Sequence, residues 1–260
     1  MQHRFLILTP LLPEFTLPEG KPMGEMRFIE AVREGLREEM ESDSHVFLIG
    51  QDIGVNGGVF RVTEGLQAQF GTDRVIDSPL AESGLVGLAI GSAMNGMRPV
   101  VEIQFADFIF PAFNQIVSEA ARMYYRTNGD YPVPMVIRAP YGGGARGGLY
   151  HSQSVEAFFA HVPGLKVLMP SNPHDAKGLL KAAIRDDNPV LFFGHKLSYN
   201  AVRGEVPQGD YFVPIGEAAV RRNGTQLSLI SYGLSVHHCM EAAETLSTKG
   251  ISCEVIDLRT

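Results

Sequence analysis

Tryptophan is absent from the chain, and cysteine occurs only twice in 260 residues, as Cys239 and Cys253. That spacing fits neither a metal knuckle nor a Cys-x-x-Cys redox pair, and so little cysteine suits a reducing cytosol. Positive charge is also in short supply. A net charge of −7 leaves no basic footprint, which argues against nucleic acid and anionic membrane as partners. The most apolar helical stretch, which follows Glu82, is too short to cross a bilayer and has charges close to both ends. Repeats and low-complexity segments are missing as well. The remainder is an ordinary globular balance, 45% apolar and 20% charged, with ample material for a core. The length allows one large domain, or one domain plus part of another.

At the N-terminus Phe5-Leu6-Ile7-Leu8 follows Arg4, but Pro10 and Pro13 cut the apolar run and no small-residue cleavage site follows. Met1–Pro22 therefore reads as a loose extension, with Met23 and Met26 as alternative starts. From there the pattern alternates. An apolar stripe over Arg27–Glu41 predicts a helix, and Val46–Gly50 a short buried strand. Further strands are expected at Arg74–Asp77, Pro99–Phe105, Val133–Ala139, Leu165–Met169 and Pro189–Phe193. Between them lie helices near Val62–Phe70, Ser78–Asn95, Phe108–Arg126 and Pro173–Arg185, the last capped by Asn172. Buried strands alternating with helices predict an α/β fold, a parallel sheet covered on both faces.

Periodicity fades after Lys196, and Gly204, Pro207, Gly209 and Pro214 punctuate residues 201–215. This stretch is expected to be an interdomain linker between a domain at 23–200 and a second, partial α/β domain at 216–260. In the second unit Asn223-Gly224 between Ala218–Arg222 and Gln226–Ser231 signals a hairpin. A helix over Val236–Lys249, ended by Gly250, and a strand over Ser252–Leu258 complete it. That unit falls short of an ordinary domain and reads as cut off.

One stretch stands out chemically. Between Glu82 and Asn95 only Ser83 and Ser92 carry a polar atom other than sulfur, so the helix is expected inside the protein. Ser78 suits its N-cap, Pro79 its first turn, and Gly96 its end. Glu82 then lies in the first turn of a buried helix, where a carboxylate is costly unless something receives it. For an isolated Glu the better reading is an acid favoured by the helix dipole and satisfied by an amide or arginine. The loop Tyr141–His151 is glycine-rich, but it lacks the Gly-Lys-Ser/Thr ending of a P-loop and does not open into a helix. It delivers His151, which alone is more often a polar loop residue than an acid/base group. Phe105, Phe108 and Phe110 cluster at a strand-to-helix junction, usually a sign of core. Glu82, Phe108 and His151 all follow predicted strands, and in α/β sheets ligands bind at those ends.

Several ordered stretches are now recognisable. They are Gly57-Gly58-Val59-Phe60, Asp77-Ser78-Pro79-Leu80-Ala81-Glu82, Glu102-Ile103-Gln104-Phe105-Ala106-Asp107-Phe108-Ile109-Phe110-Pro111 and His151-Ser152-Gln153-Ser154. Ala176-Lys177-Gly178-Leu179-Leu180 and Glu254-Val255-Ile256-Asp257-Leu258-Arg259-Thr260 extend the match. From about Met23 onward the chain resembles the β subunit of the thiamine-diphosphate-dependent 2-oxo acid dehydrogenase E1 component, of pyruvate or branched-chain type. The resemblance implies a thiamine-diphosphate-binding pyrimidine domain followed by a truncated, transketolase C-terminal-like domain.

It also implies roles. Glu82 would face N1′ of the cofactor's aminopyrimidine, and a carboxyl in an apolar pocket shares its proton readily. Leu80 would line the same cofactor site, and Phe108 would stack on the pyrimidine, where Tyr is commoner. His151 would supply protons as the acyl group passes to a lipoyl arm, its glycine-rich approach ordering on arrival of substrate. The resemblance further implies an E1 α subunit in an α₂β₂ heterotetramer, an E2 lipoyl acyltransferase and a small 2-oxo acid. Mg²⁺ would be bound by the α subunit, because the Gly-Asp-Gly…Asn pattern is absent from this chain. A structural K⁺ is implied at carbonyls near Met135, Val136, Ala183, Asp186 and Asn188. Gln51 stands where the family often has Glu, which removes a charge from that loop. Rival readings are an acetoin dehydrogenase β subunit, a transketolase-like enzyme, or a non-catalytic scaffold that pairs with an α subunit.

Overall fold

A computed structural model describes residues 23–260, so the extension expected at Met1–Pro22 lies outside the described residues. β1 (Met23–Arg27) leads into α1 (Phe28–Ser42), followed by β2 (Val46–Gly50), α2 (Leu66–Phe70) and β3 (Val75–Asp77). Next come α3 (Glu82–Met94) and β4 (Arg98–Glu102), two single 3₁₀ turns, a π-helical stretch Gln115–Ala120 and α4 (Ala121–Arg126). β5 (Val136–Tyr141), α5 (Glu156–Ala160), β6 (Lys166–Leu168), α6 (Pro173–Arg185), β7 (Val190–His195), α7 (Ser198–Ala201) and β8 (Arg203–Pro207) complete the larger unit. The smaller unit holds β9 (Ala219–Arg222), β10 (Leu227–Ser231), α8 (Ser235–Ser247) and β11 (Cys253–Asp257).

Six strands form a parallel sheet in the order β3-β2-β4-β5-β7-β6. Alternate side chains of each strand feed opposite faces, so two cores form. Leu48, Val100 and Phe192 join α1 and α6 on one side, while Phe47, Ile49, Val101 and Phe193 join α3 and the π-helical stretch on the other. This is the expected α/β architecture, and the reason its strands read as continuous apolar runs. α6 begins where the sequence placed it, with the Asn172 side chain accepting from the Asp175 amide at 3.0 Å.

Four expectations need correction. α3 starts at Glu82 with Ala81 at the cap, not at Pro79 with Ser78. The Ser78 amide instead donates to the Gly50 carbonyl (2.9 Å), so Ser78 continues the edge of the sheet before the chain can turn. Nor is α3 wholly enclosed within this chain, since Gly84, Gly87, Leu88 and Gly91 form an exposed stripe. Gly96 does end it, with a positive φ of 90°. The single helix expected over Phe108–Arg126 is broken into 3₁₀ turns and a π-helical stretch before regular α-helix begins. Asn223-Gly224 makes no hairpin, because β11 lies between β9 and β10. A Cβ on Gly224 would sit 2.0 Å from the Cys253 carbonyl carbon, so glycine there permits a close backbone crossing rather than a tight turn.

Residues 201–215 carry β8, which pairs antiparallel with β1, and Val206, Tyr211 and Val213 belong to the core beside α6. The expected linker is thus packed structure whose glycines and prolines conceal a strand. The two units meet through buried charge. Asp175, fully buried, accepts from Arg259 Nε (3.0 Å) and from Arg221, which also donates to Asp257 at 3.0 Å. Burial pushes the Asp175 carboxyl up, but the hydrogen bond with His174, then the charges of Arg221 and Arg259, hold it well below its usual range.

Candidate active site

The residues singled out around the cofactor site each follow the C-terminal end of a strand in the parallel sheet. Glu82 comes after β3, Gln51 after β2, Phe108 after β4 and His151 after β5. The fold therefore gathers them along one edge, the usual ligand-binding edge of such sheets.

The centre of this edge is aromatic. His151 stands edge-on to Phe105 (ring centroids 4.6 Å) and to Phe108 (5.3 Å), and its Nδ1 lies 3.1 Å from the Gly147 carbonyl. Since a carbonyl only accepts, Nδ1 is the donating nitrogen in that contact, and Nε2 is left without a hydrogen bond among the described residues. Asp107, buried behind the rings, accepts from the Ser152 amide (3.0 Å) and the Gln153 amide (3.1 Å). Lys196, 5% exposed, donates to the His151 carbonyl at 2.6 Å and lies 5.4 Å from the Phe105 ring centre. Burial draws the Lys196 ammonium below its usual pKa, against the pull of Asp107.

Glu82 lies toward the sheet edge, two strand positions from β4. Glu82 is 9% exposed as a residue, and its carboxylate has no hydrogen-bond or ion partner among the described residues, so no amide or arginine among them satisfies it. Leu80 is 78% exposed just before it, apolar surface that the described residues leave uncovered. The structure brings Phe108 and His151 into contact, whereas Glu82 and Leu80 touch neither through any hydrogen bond or ring contact. Gln51 is buried between the two groups, beside a loop that reaches Gly58. Gly58 (φ 79°) presses on Glu102, since a Cβ there would sit 2.8 Å from Glu102 Oε1. Glu102 in turn pairs with the buried Arg138, whose Nη2 donates to Tyr199 Oη at 3.2 Å.

Sequence reasoning passed over Asp107, Lys196 and the Glu102–Arg138 pair. A charged residue inside or directly after an apolar strand was the available signal for all of them. Among the described residues no group of three or more His, Cys, Asp or Glu side chains converges as a metal site. Met135, just before β5, and Val136, its first residue, lie beside the start of β7, since Val190 pairs with Val136 and its amide donates to the Met135 carbonyl at 2.9 Å. Ala183 is in the last turn of α6, and Asp186 and Asn188 follow that helix. Arg98 Nη1 already donates to the Asp186 carbonyl there, at 3.1 Å.

Residues 24–202 match the model of the transketolase pyrimidine-binding domain, and residues 216–260 that of the transketolase C-terminal domain. A 2-oxoisovalerate dehydrogenase subunit beta from Bacillus subtilis is 59% identical over 92% of this chain and 73% of its own length. The pyruvate dehydrogenase E1 component subunit beta of the same organism is 50% identical over the same shares. The chain belongs to the E1 β subunits of the 2-oxo acid dehydrogenases. A split-gene transketolase, solved as an inactive β4 tetramer, shares the fold with a TM-score of 0.73 at 23% identity, covering 91% of this chain and 73% of that one. The Glu82 carboxyl, unpaired among the described residues, and the Phe108 ring supply an acid and an aromatic surface, the donor set that the pyrimidine end of thiamine diphosphate would need. No helix among the described residues is long and apolar enough to cross a membrane.

At the rim of the site, His195 reports on acid sensitivity. Burial, then the nearby Lys196 and His238, push its pKa from 6.5 down to about 4. The unfolded chain therefore takes the proton first, so this contribution is complete above pH 6.5 and is lost as the pH falls toward 4. His195→Gln is expected to flatten that part of the stability profile in urea titrations run across the interval. A variant that loses stability with acid as steeply as the wild type would refute the assignment.

Proposed function

We propose that this chain is the pyrimidine-binding half of an α₂β₂ 2-oxo acid dehydrogenase E1 component in the cytoplasm. It would act in oxidative decarboxylation of a 2-oxo acid and in transfer of the acyl group to the lipoyl arm of an E2 acyltransferase. The observation that carries the reading is Glu82, a buried residue whose carboxylate has no partner among the described residues, at the ligand edge of a transketolase-type sheet. Thiamine diphosphate, when bound, supplies the electron sink for decarboxylation. Glu82 would face N1′ of the pyrimidine and hold the proton shared with it. Phe108 would offer its ring to the pyrimidine, and Leu80 would line the same cofactor site. His151 would supply the proton taken up by the departing lipoyl sulfur as the S–S bond opens and the acyl–S bond forms.

The second half of the site belongs to the α subunit, which supplies Mg²⁺ and the diphosphate contacts. Higher identity to the 2-oxoisovalerate subunit than to the pyruvate one favours a branched-chain substrate. A structural K⁺ at Met135, Val136, Ala183, Asp186 and Asn188 belongs to the same reading, supported by the pairing of Val136 with Val190, two residues after Asn188.

The test pairs the chain with its α subunit and assays 2-oxoisovalerate and pyruvate, with a lipoyl domain and separately with an artificial electron acceptor. His151→Ala is expected to retain part of the decarboxylation while acyl transfer drops a further 10-fold or so. Equal loss of both half-reactions would argue against the His151 role. Turnover without a lipoyl acceptor, on sugar phosphates, would favour a transketolase-like enzyme; acetoin as the preferred substrate would favour an acetoin dehydrogenase. A complex that binds no cofactor would favour the scaffold.

A further inference from the structure

His151 closes a loop with little rigidity of its own. Gly142, Gly144 and Gly148 have positive φ (89°, 87° and 71°), and Arg146 joins them at 56°. Such backbone loses much conformational freedom when it orders, so the loop alone will not hold an imidazole in one place. Three hydrogen bonds to buried charges grip the segment from opposite sides. Asp107, on the 3₁₀ turn after β4, takes the amides of Ser152 and Gln153. Lys196, directly after β7, donates to the carbonyl of His151 itself. The Lys196 amide also bonds to the Tyr141 carbonyl (3.0 Å), so the same residue fixes the start of the loop. Hydrogen bonds with one ionised partner are the stronger class, and here both charges are shielded from water.

We propose that Lys196 and Asp107 are positioning residues that clamp the peptide backbone around His151 and so hold its ring against Phe105 and Phe108 in a competent orientation. The role in acyl transfer rests on the reading of His151 given above; the clamp itself does not. Neither residue touches the reacting atoms. They act through the loop, by reducing the number of places the imidazole can occupy.

The experiment uses the assembled α₂β₂ enzyme carrying Lys196→Met, Lys196→Arg or Asp107→Asn. Hydrogen exchange of the segment 147–153 reads the clamp, and the two half-reactions read its consequence. Lys196→Met and Asp107→Asn are each expected to speed amide exchange at Ser152 and Gln153 about 10-fold. Both are also expected to lower acyl transfer to the lipoyl domain about 10-fold more than decarboxylation. Lys196→Arg, which keeps a donor and the charge, should restore most of both. Unchanged exchange in both Lys196→Met and Asp107→Asn overturns the clamp, as does a failure of Arg to rescue. If Lys196→Met does not assemble, Asp107→Asn, which keeps size and shape, decides alone. A His151→Ala enzyme that loses both half-reactions equally would overturn the reading of His151, and faster exchange in the clamp variants would still support the clamp.

Discussion

Glu82→Gln, assembled with the α subunit, is expected to lose 2-oxo acid decarboxylation by about 10²- to 10⁴-fold. The substitution keeps size and shape and removes only the exchangeable proton. It should not cost stability, because the Glu82 carboxylate has no partner among the described residues for the amide to abandon. Glu82 is 9% exposed as a residue and unpaired among the described residues, which leaves its carboxyl available to a ligand that brings a donor. The measurement is steady-state decarboxylation with an artificial electron acceptor, so that the lipoyl step is not involved, together with thermal unfolding of the complex. Turnover close to wild type would remove Glu82 from the chemistry. Loss of activity together with a collapse in thermal stability would make its role one of packing.

The parts of the fold legible in the chain were those decided by neighbours in sequence. β2, β5 and β7 are apolar runs buried on both faces, and Asn172 caps α6 through an amide three residues away. The errors arose where distant backbone decides. Asn223-Gly224 has the composition of a hairpin turn, yet glycine is required there because β11 passes against it. Ser78 has the chemistry of an N-cap, yet its amide is used by Gly50 of the neighbouring strand. The exposed stripe on α3 could not be told from a buried face, since Gly and Leu occupy either. The site divides in the same way. Glu82, Phe108 and His151 could be picked out by following strands to their ends. Lys196, 45 residues after His151, could not, because its meaning lies in one carbonyl it reaches across the sheet.

Arg138→Met is the substitution expected to cost most in stability. Arg138 is 1% exposed and Glu102 5%, so both charges lie away from water and depend on each other. Burial drives the Glu102 carboxyl above its usual pKa, against the pull of the Arg138 guanidinium. Removing the cation leaves that carboxylate without its counter-charge and takes a donor from Tyr199, which packs against Phe28 (5.7 Å) and Phe60 (5.5 Å). Breaking a buried pair in this way costs about 3–5 kcal/mol. The pH dependence has a definite sign. A carboxyl whose folded pKa exceeds its unfolded one stabilises less as the pH rises, so the gap between variant and wild type should narrow toward pH 4.5, the ordinary value for Glu. Adding Glu102→Gln to Arg138→Met removes the stranded charge and should recover much of the loss, since the double change leaves no buried ion. Denaturant midpoints of the two single variants and the double variant, at neutral and acid pH, give the cycle. A single-variant loss below about 1 kcal/mol would mean that water reaches the pair.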